Sequence, residues 1–564
     1  MNYYTSWIKP DFDLSKPIAF DTETCIPRNS KSRASTLALY GETRLWQVCQ
    51  NGKTYIYDLF YMDINILKDY FKDSHLYAHN AIYDFSCPNI AGWLPKDIDC
   101  TLYMMRHSNP ELDYFSLKSC LMHHELGSKT DEGSSDWSEL SLSESQLKYA
   151  AQDVIKLEKL YNKIKWVKTK YPTYRLDIAN LKHSLHYQLN GFKVHEPNRL
   201  AALDKALKEE DRLKMLLPND LNVNSSKQVC EFLGTTSSAA DVLADLALNG
   251  NEIAGNIQNL RKTRKKIGVL TEKFAFNRLY GIFNPSGAIT GRFTCKGNGH
   301  SKASQNLQQL NYEFKTCFGF EEDNDTYLVT ADFTSLEVFN IIGIMNEQKM
   351  SDLIFKGGDF HKATAAMVYR KPADEISKIE RTIAKTATFA FAYGGGPVTG
   401  QIFMKQMAGI NMPLDEVKKI REGWLRAYPS VAAYHARIGE IFSNKSSVIV
   451  TSPLGRPMKA DQYSKAINMP CQSTGADQTK LSINLLYERI PNVKLVNTIH
   501  DEIILEVDGF EEAKRQAKIL KECMDKSWLI IKPYLKEAAQ QLVMDNEAEV
   551  LKINNGEILW STHA

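Results

Sequence analysis

The sequence predicts a multidomain protein with an α/β unit at its start and an α+β body after it, and three observations carry that expectation. Short β-type runs, PIAFDTET, TRLWQVCQ and KTYIYDLF, fill residues 17–60 and then alternate with helical patterns to about residue 165. From about 175 to 280 the apolar period is mainly helical, with few turn signals until FNPSGAITGRF. A second sheet opens with LVTADF, gives way to a helical block over about 350–445, and resumes in KLVNTIH and DEIILEV. A chain of 564 residues has room for about three or four units with substantial cores.

Each element follows from local chemistry. GSKTDEGSSDWSELSLSES, from Gly127 to Ser145, is polar and small, and predicts an exposed loop leading into a helix. The break Gly394-Gly395-Gly396-Pro397 reads as a helix C-cap and turn. VIVTSPLGRPM and the pair KLVNTIH and DEIILEV read as a hairpin returning to the second sheet, so that one sheet is split by an inserted helical block. No internal repeat is visible, and the segment after about 510, including KECMDKSWLIIKPYLKEAAQQ, carries no assignment.

Composition removes several classes. With 43% hydrophobic and 24% charged residues the chain is neither disordered nor collagen-like, and no apolar stretch of about 18 residues predicts a membrane span. Lys and Arg number 69 against 67 Asp and Glu, so any basic track is local. The clearest is Arg261, Lys262, Arg264, Lys265 and Lys266, either a solvated helix face or a nucleic-acid track. Ten cysteines without a Cys-x-x-Cys pair suit reduced thiols in a cytoplasm. Cys100, Cys120, His123 and His124 lack the tight spacing of a zinc site and are expected to be structural. The start has no positive flank before an apolar run, so no secretion signal is read.

Two sets of carboxylates stand out. Asp21 and Glu23 are two apart at the end of the strand PIAF, so both side chains face one way if the strand continues. Asn80, Tyr83 and Asp84 in HNAIYDF join them, as do Tyr149 and Asp153 in YAAQD, four apart on one helical face. Asp21, Glu23, Asp84 and Asp153 would hold two Mg²⁺ or Mn²⁺ ions about 3.5 to 4 Å apart, the arrangement for attack of water on a phosphodiester, with Tyr149 orienting that water. These three motifs resemble those of the proofreading exonucleases related to the DEDD superfamily, in the form with Tyr in the third motif. The likeness spans about 1–165, and FSLKSCL around Leu117 and Lys118 resembles the helix after the second motif. Up to this point a nuclease acting alone on RNA or DNA ends stays open, and the remainder of the chain decides.

The second set lies in TADFTSLE and TIHDEI, where Asp332 and Asp501 end or turn strands and would together hold two Mg²⁺ ions and a nucleoside triphosphate, the carbonyl of Phe333 completing one shell. Between them, Arg381, Lys385, Phe389 and Tyr393 recur every four residues and form one slowly turning helical stripe, cations first and aromatics after. Alone, the stripe is better explained by an ordinary amphipathic face.

In this order, DFTSLE, RTIAKTATFAFAYG and HDE resemble motifs A, B and C of the family-A, polymerase-I-like DNA polymerases. TGRF, NLQQL and NMPCQSTGAD extend the likeness over nearly all of 180–510. The resemblance implies a ribonuclease-H-like exonuclease domain (1–165), a linker and helical thumb (166–285), a palm in two parts (286–345 and 449–564, the latter with the C-terminal tail) and fingers (346–448). It implies Asp332 and Asp501 as metal ligands supported by Glu502, and a triphosphate held by Arg381, Lys385 and His361, with Lys385 protonating the leaving pyrophosphate. Phe389 would pack on sugar and base, Tyr393 would close the pocket, and Glu337 would exclude a ribose 2′ hydroxyl. Arg292, Gln472 and His500 would contact DNA, the first two in the minor groove, where acceptors are shared by all correct pairs. NVNSSKQVCEFL, from Asn222, resembles the segment of the thumb that grips the duplex.

The implied partners are primer-template DNA and dNTPs, acted on by a monomer in the cytoplasm of a bacterium or a phage-infected cell. Nothing in the sequence names a helicase, primase or processivity factor. Phe389, lacking a hydroxyl, implies discrimination against dideoxynucleotides. Ser335 and Phe339 depart from the usual polar amide and basic residue of motif A, so some template contacts must differ. The absence of a 5′ nuclease segment implies a phage, plasmid or specialised replicative enzyme. A single-subunit RNA polymerase is disfavoured by Glu337, and a catalytically degenerate DNA-binding scaffold by a carboxylate at every matched ligand position.

Overall fold

The computed structural model describes residues 2–25, 42–128, 135–297, 303–310, 312–321, 324–554 and 557–563. Part of the polar stretch read as a loop, residues 129–134, lies outside the described residues.

The strand Ile18–Cys25 runs through the middle of a six-stranded sheet, parallel to His75–Ala78 on one side and antiparallel to Glu42–Gln50 on the other. Ile18, Ala19 and Phe20 are fully buried, and the run opens out at Asp21 and Glu23. The helix Glu144–Ile164 crosses this sheet. It starts with a reciprocal cap in which Ser143 accepts from Gln146 N while the Gln146 side chain accepts from Ser143 N, satisfying two otherwise orphaned donors.

Beyond it, the helix Pro172–Tyr187 begins with proline, whose missing N–H costs nothing in a first turn, and lies along the long helix Tyr463–Arg489. Helices Glu196–Met215, Ser226–Leu233, Ala240–Leu248 and Glu252–Gly268 form the arm expected as a thumb. They have their own small core of Leu213, Val223, Val229, Leu243, Ala254, Ile257 and Leu260. The arm rises from a short ladder, Phe192–Lys193 with Arg278–Leu279, and Lys405 of the opposite helix Pro397–Ala408 forms an ion pair with Asp245 at its far end.

A second sheet has the order Leu495–Ile499, Glu502–Asp508, Thr326–Asp332, Glu547–Asn554, Glu557–His563, all neighbours antiparallel. Its core is continuous with that of the inserted helices between Gln348 and Phe442 and with Tyr187, Phe192 and Val194. The hairpin Val448–Thr451 with Pro457–Ala460 does not rejoin this sheet as the sequence suggested. It is a separate two-stranded ribbon, turned at Gly455 (φ 88°), and both of its strands pack on the long helix instead of on a sheet edge.

The unassigned C-terminal segment is central to this body. The helix Phe510–Ile531 buries Ala513, Ala517, Leu520, Met524, Trp528 and Ile531 along one face, an i, i+4, i+7 pattern, against the sheet and the long helix. The indole of Trp528 meets the edge of Phe339 at 5.2 Å. The strand Glu547–Asn554 then pairs with Thr326–Asp332, placing Asp332 opposite Glu547 and making its strand an interior one.

Where the first unit meets the second sheet's body, Arg456 donates to both Asp177 oxygens (2.7 and 2.9 Å) and to Asp477 (2.8 Å), and Lys480 donates to Asp177 at 2.5 Å. All four are buried. Burial alone would raise Asp177, but Arg456 and Lys480 overcome it and hold the carboxyl well below the usual range, while burial pulls Lys480 down to about 8. Gly291, in TGRF, sits at φ 77° directly against this group: a Cβ there would fall 2.5 Å from Arg456 Cζ.

Candidate active sites

In the first unit, ligand oxygens of Asp21, Glu23 and Asp153 all lie within 4.8 Å of one another, the one such acidic or Cys/His grouping among the described residues. The alternation of the strand supplies the first two and the helix Glu144–Ile164 the third. Asp84 does not join this tight group. Its Oδ1 accepts from Thr22 N (3.1 Å) and Thr22 Oγ1 (2.9 Å), tying it to the residue between Asp21 and Glu23. The turn that brings it there needs Asn80 at φ 62°, a conformation Asn tolerates better than most residues, and Tyr83 pairs its hydroxyl with Thr24.

Tyr149 lies one turn before Asp153 with its ring only 3% exposed, packed with Trp137 (6.3 Å between centroids) and Leu45. The segment bearing Trp137 is pinned by Arg44, which donates to the carbonyls of Glu139 (2.7 Å) and Leu140 (3.1 Å) and to Asp58 (2.8 Å) with no exposure of its own. Sequence reasoning missed Arg44, Trp137 and Gln47. The last is register-paired with Asp21, and a glutamine inside the buried run LWQVCQ was its visible signal.

In the second sheet, the pairing of Ala331 with Ile503 brings Asp332 beside the turn His500–Asp501, where His500 adopts φ 57°. Burial, then the Asp501 and Glu502 carboxylates, push Asp332 up to about 6, although solvent still reaches its outer edge. Burial also raises Asp501, against the pull of Arg292. Both Glu502 oxygens have partners: Lys315 donates to one at 2.5 Å and Thr330 to the other at 2.9 Å. Lys315 and Thr330 were not anticipated.

Arg292 approaches Glu337 at 4.0 Å, and the Tyr393 hydroxyl is buried beside Glu337, burial and that carboxylate raising it well above its usual range. The helix Lys378–Phe391, capped reciprocally by Ser377 and Glu380, carries Arg381, Lys385 and Phe389. It ends two residues before Tyr393, which occupies the turn leading to Gly394 at φ 79°, so the stripe read as one helix bends at its last member. Arg381 Nε pairs with Asp359 at 2.5 Å, and Asp359 caps the helix Phe360–Tyr369 that carries His361. Burial lowers His361, with Lys385 and Arg381 adding to it, and its Nδ1 is buried without a partner among the described residues. Gln472 is half-buried on the long helix and Phe333 is buried below Asp332.

One expectation changes and one holds. Arg261 is a strut, donating to Val223 O (2.7 Å) and Ser238 O (2.6 Å), and Arg264 pairs with Glu210 at 2.8 Å, so the basic run is not one open cationic face. Lys262 and Lys265 are its exposed members. Cys100 and Cys120 lie in the first unit's apolar core while His123 turns to Asn109 at 2.9 Å, which matches a structural role for that group.

A nuclease-type carboxylate cluster on one sheet, a carboxylate pair on another and a helix carrying Arg381 and Lys385 between its strands in sequence are the features of an enzyme of nucleotidyl transfer joined to an exonuclease. The family model for DNA polymerase family A matches residues 179–536, and that for 3′-5′ exonuclease matches 7–167. The chain belongs to DNA polymerase family A and carries a 3′–5′ exonuclease domain. It is 27% identical to DNA polymerase I of Aquifex aeolicus over 559 residues, covering 91% of this chain and 93% of that one. It is 24% identical to the thermostable DNA polymerase I of Thermus aquaticus (62% and 43% covered) and 25% identical to the DNA polymerase of Mycobacterium phage L5 (50% and 44%), and so spans under half of those two. Its fold resembles the polymerase domain of Pol1 from M. smegmatis, solved in complex with DNA primer-template and dNTP, with a TM-score of 0.74, 14% identity and 94% of each chain covered. No helix among the described residues is long and apolar enough to cross a membrane.

Proposed function

We propose that the two carboxylate groups are two separate metal-dependent sites, one extending a primer on template DNA with dNTPs and the other removing its 3′ terminal nucleotide. The observation that carries this is the placement of the groups on two sheets with two separate cores in one chain. Both sets fit divalent cations. Ligand oxygens already gather around Asp21, Glu23 and Asp153, and Asp332 and Asp501 have raised proton affinities that cation binding would relieve. Asp332, Asp501 and the Phe333 carbonyl would hold the ions of the first site, and Asp21, Glu23, Asp84 and Asp153 those of the second, as Mg²⁺ or Mn²⁺. When bound, these cations supply charge neutralisation for the phosphate and activation of the attacking oxygen.

The remaining residues act on substrate. Arg381 and Lys385, with His361 beside them, offer donors to triphosphate oxygens, and Lys385, the exposed one, is placed to give a proton to departing pyrophosphate. Phe389 presents a half-buried ring one turn further on for the sugar and base. Glu337, held between Arg292 and Tyr393, stands where a ribose 2′ hydroxyl would need room. Arg292, Gln472 and His500 line the side where the nascent duplex would leave. In the second site Tyr149, fixed by Trp137, orients the attacking water through its hydroxyl. The bounds 1–165, 166–285, 286–345, 346–448 and 449–564 divide exonuclease, linker and thumb, first palm part, fingers, and second palm part with tail. Phage relatives support replication of a phage or similar genome as the setting.

Primer extension and digestion of a mismatched 3′ end test this together. Asp332→Ala abolishes extension and spares digestion, while Asp21→Ala does the reverse, each loss being about a thousandfold or more. Loss of both activities from either change would sink the two-site reading.

A further inference from the structure

Gln47 stands opposite Asp21 in the ladder between Ile18–Cys25 and Glu42–Gln50, has no exposed surface, and belongs to none of the three carboxylate motifs. Two acceptors face its side chain, Asp21 Oδ2 at 3.3 Å and the carbonyl of Ala150 at 2.8 Å, so the amide nitrogen is the atom turned toward them and donates to both. Ala150 follows Tyr149 and lies three residues before Asp153 on the helix Glu144–Ile164. One buried amide therefore joins the carboxylate of the strand to the backbone of the helix that supplies the opposing carboxylate.

We infer that Gln47 is a positioning residue of the exonuclease site, setting the orientation of the Asp21 carboxylate and its separation from Asp153 so that a divalent cation finds its ligands already in place. The physical case has three parts. An amide that uses both hydrogens on fixed acceptors cannot rotate without leaving a buried group unsatisfied, which costs about 1–3 kcal/mol. A carboxylate that accepts one directed hydrogen bond loses the freedom to swing its other oxygen out of the cluster. Partners of this kind, one step behind the ligands, typically contribute tenfold to a hundredfold in metal affinity. A purely structural glutamine would serve as well with its amide on backbone alone, but here one of the two acceptors is itself a ligand of the cluster.

The inference rests on the metal-binding reading of the Asp21 cluster, and the experiment separates the two. Mn²⁺ is titrated calorimetrically into the full chain carrying Asp332→Asn and Asp501→Asn, so that the exonuclease carboxylates are the set left intact. Adding Asp21→Asn should abolish the remaining binding; if it does not, the site reading itself fails. Adding Gln47→Met, which keeps length and volume but has no donor, should weaken Mn²⁺ binding tenfold to a hundredfold. In the chain with Asp332 and Asp501 intact, Gln47→Met should raise the Mg²⁺ concentration for half-maximal digestion of single-stranded 3′ ends by the same factor. Digestion should recover at saturating Mg²⁺ and primer extension should be unchanged, the latter showing that the chain is folded. Gln47→Leu repeats the test with a different shape should the Met variant fail to fold. Wild-type Mn²⁺ affinity in either folded variant, or a loss of digestion that Mg²⁺ does not restore, would overturn the inference.

Discussion

The two carboxylate sites solve one electrostatic problem in different ways. In the exonuclease domain three ligand groups converge before any cation arrives, because a strand end and a helix turn are locked together by Gln47 and by Thr22 holding Asp84. In the second sheet Asp332 and Asp501 lie near enough for the Asp501 charge to act on Asp332, and the third carboxylate, Glu502, is held by Lys315 and Thr330. The first arrangement spends local order to keep like charges close. The second leaves an opening on its solvent side, as a site must when it admits a triphosphate and a moving primer end. Arg381, Lys385 and His361, proposed to complete it, come from two helices of the inserted block.

The comparison breaks most severely at the joint the two halves share. Arg456→Ala leaves Asp477 buried without its paired cation and Asp177 with Lys480 alone, which should destabilise the protein by about 3–5 kcal/mol. Calorimetry should show a lowered unfolding temperature, and primer extension and digestion should fall together on warming, unlike the single-activity losses of the carboxylate variants. A variant that lost only one activity would show that the two cores do not depend on this network.

A sharper and more local effect is expected at Glu337. Glu337→Ala should raise ribonucleotide insertion relative to deoxynucleotide by roughly tenfold to two-hundredfold, the range for filling or emptying a small steric pocket. Single-nucleotide insertion kinetics would measure it, with digestion of single strands unaffected. An unchanged ratio would remove Glu337 from sugar selection.

The smallest effect concerns protons. Asp332 titrates at about 6 when folded and near 3.8 when unfolded, so the native state binds its proton more tightly. The resulting penalty is absent below pH 3.8, grows through the interval and is complete above pH 6. In chelator, Asp332→Asn should therefore stabilise the protein at pH 7.5 but not at pH 4, by on the order of 1 kcal/mol because solvent screens the outer edge of the carboxylate. Since a cation needs the ionised form, extension at limiting Mg²⁺ should decline as pH falls below about 6, and added Mg²⁺ should move that decline to lower pH. A stabilisation equal at both pH values would mean that the charge of Asp332 is not the cause.

Much of this protein was legible from sequence because its signals are short-range. Asp21 and Glu23 at a strand end, the four-residue spacing of Tyr149 and Asp153, and the cations of Arg381 and Lys385 depend on residue type and helical or strand period alone. Even the C-terminal helix carried a readable period in Ala513, Ala517, Leu520 and Met524, overlooked because no motif marked it. Only the tertiary structure decided which distant groups meet. Glu547–Asn554 comes from more than two hundred residues away to make the Asp332 strand an interior one, Lys315 reaches Glu502 across 187 residues, and Arg261 turns inward from a basic run that reads as a surface. The physical reason is the same in each case: period and propensity act over one or two turns, whereas the partner of a buried charge or a strand edge is chosen by the space left when the cores close.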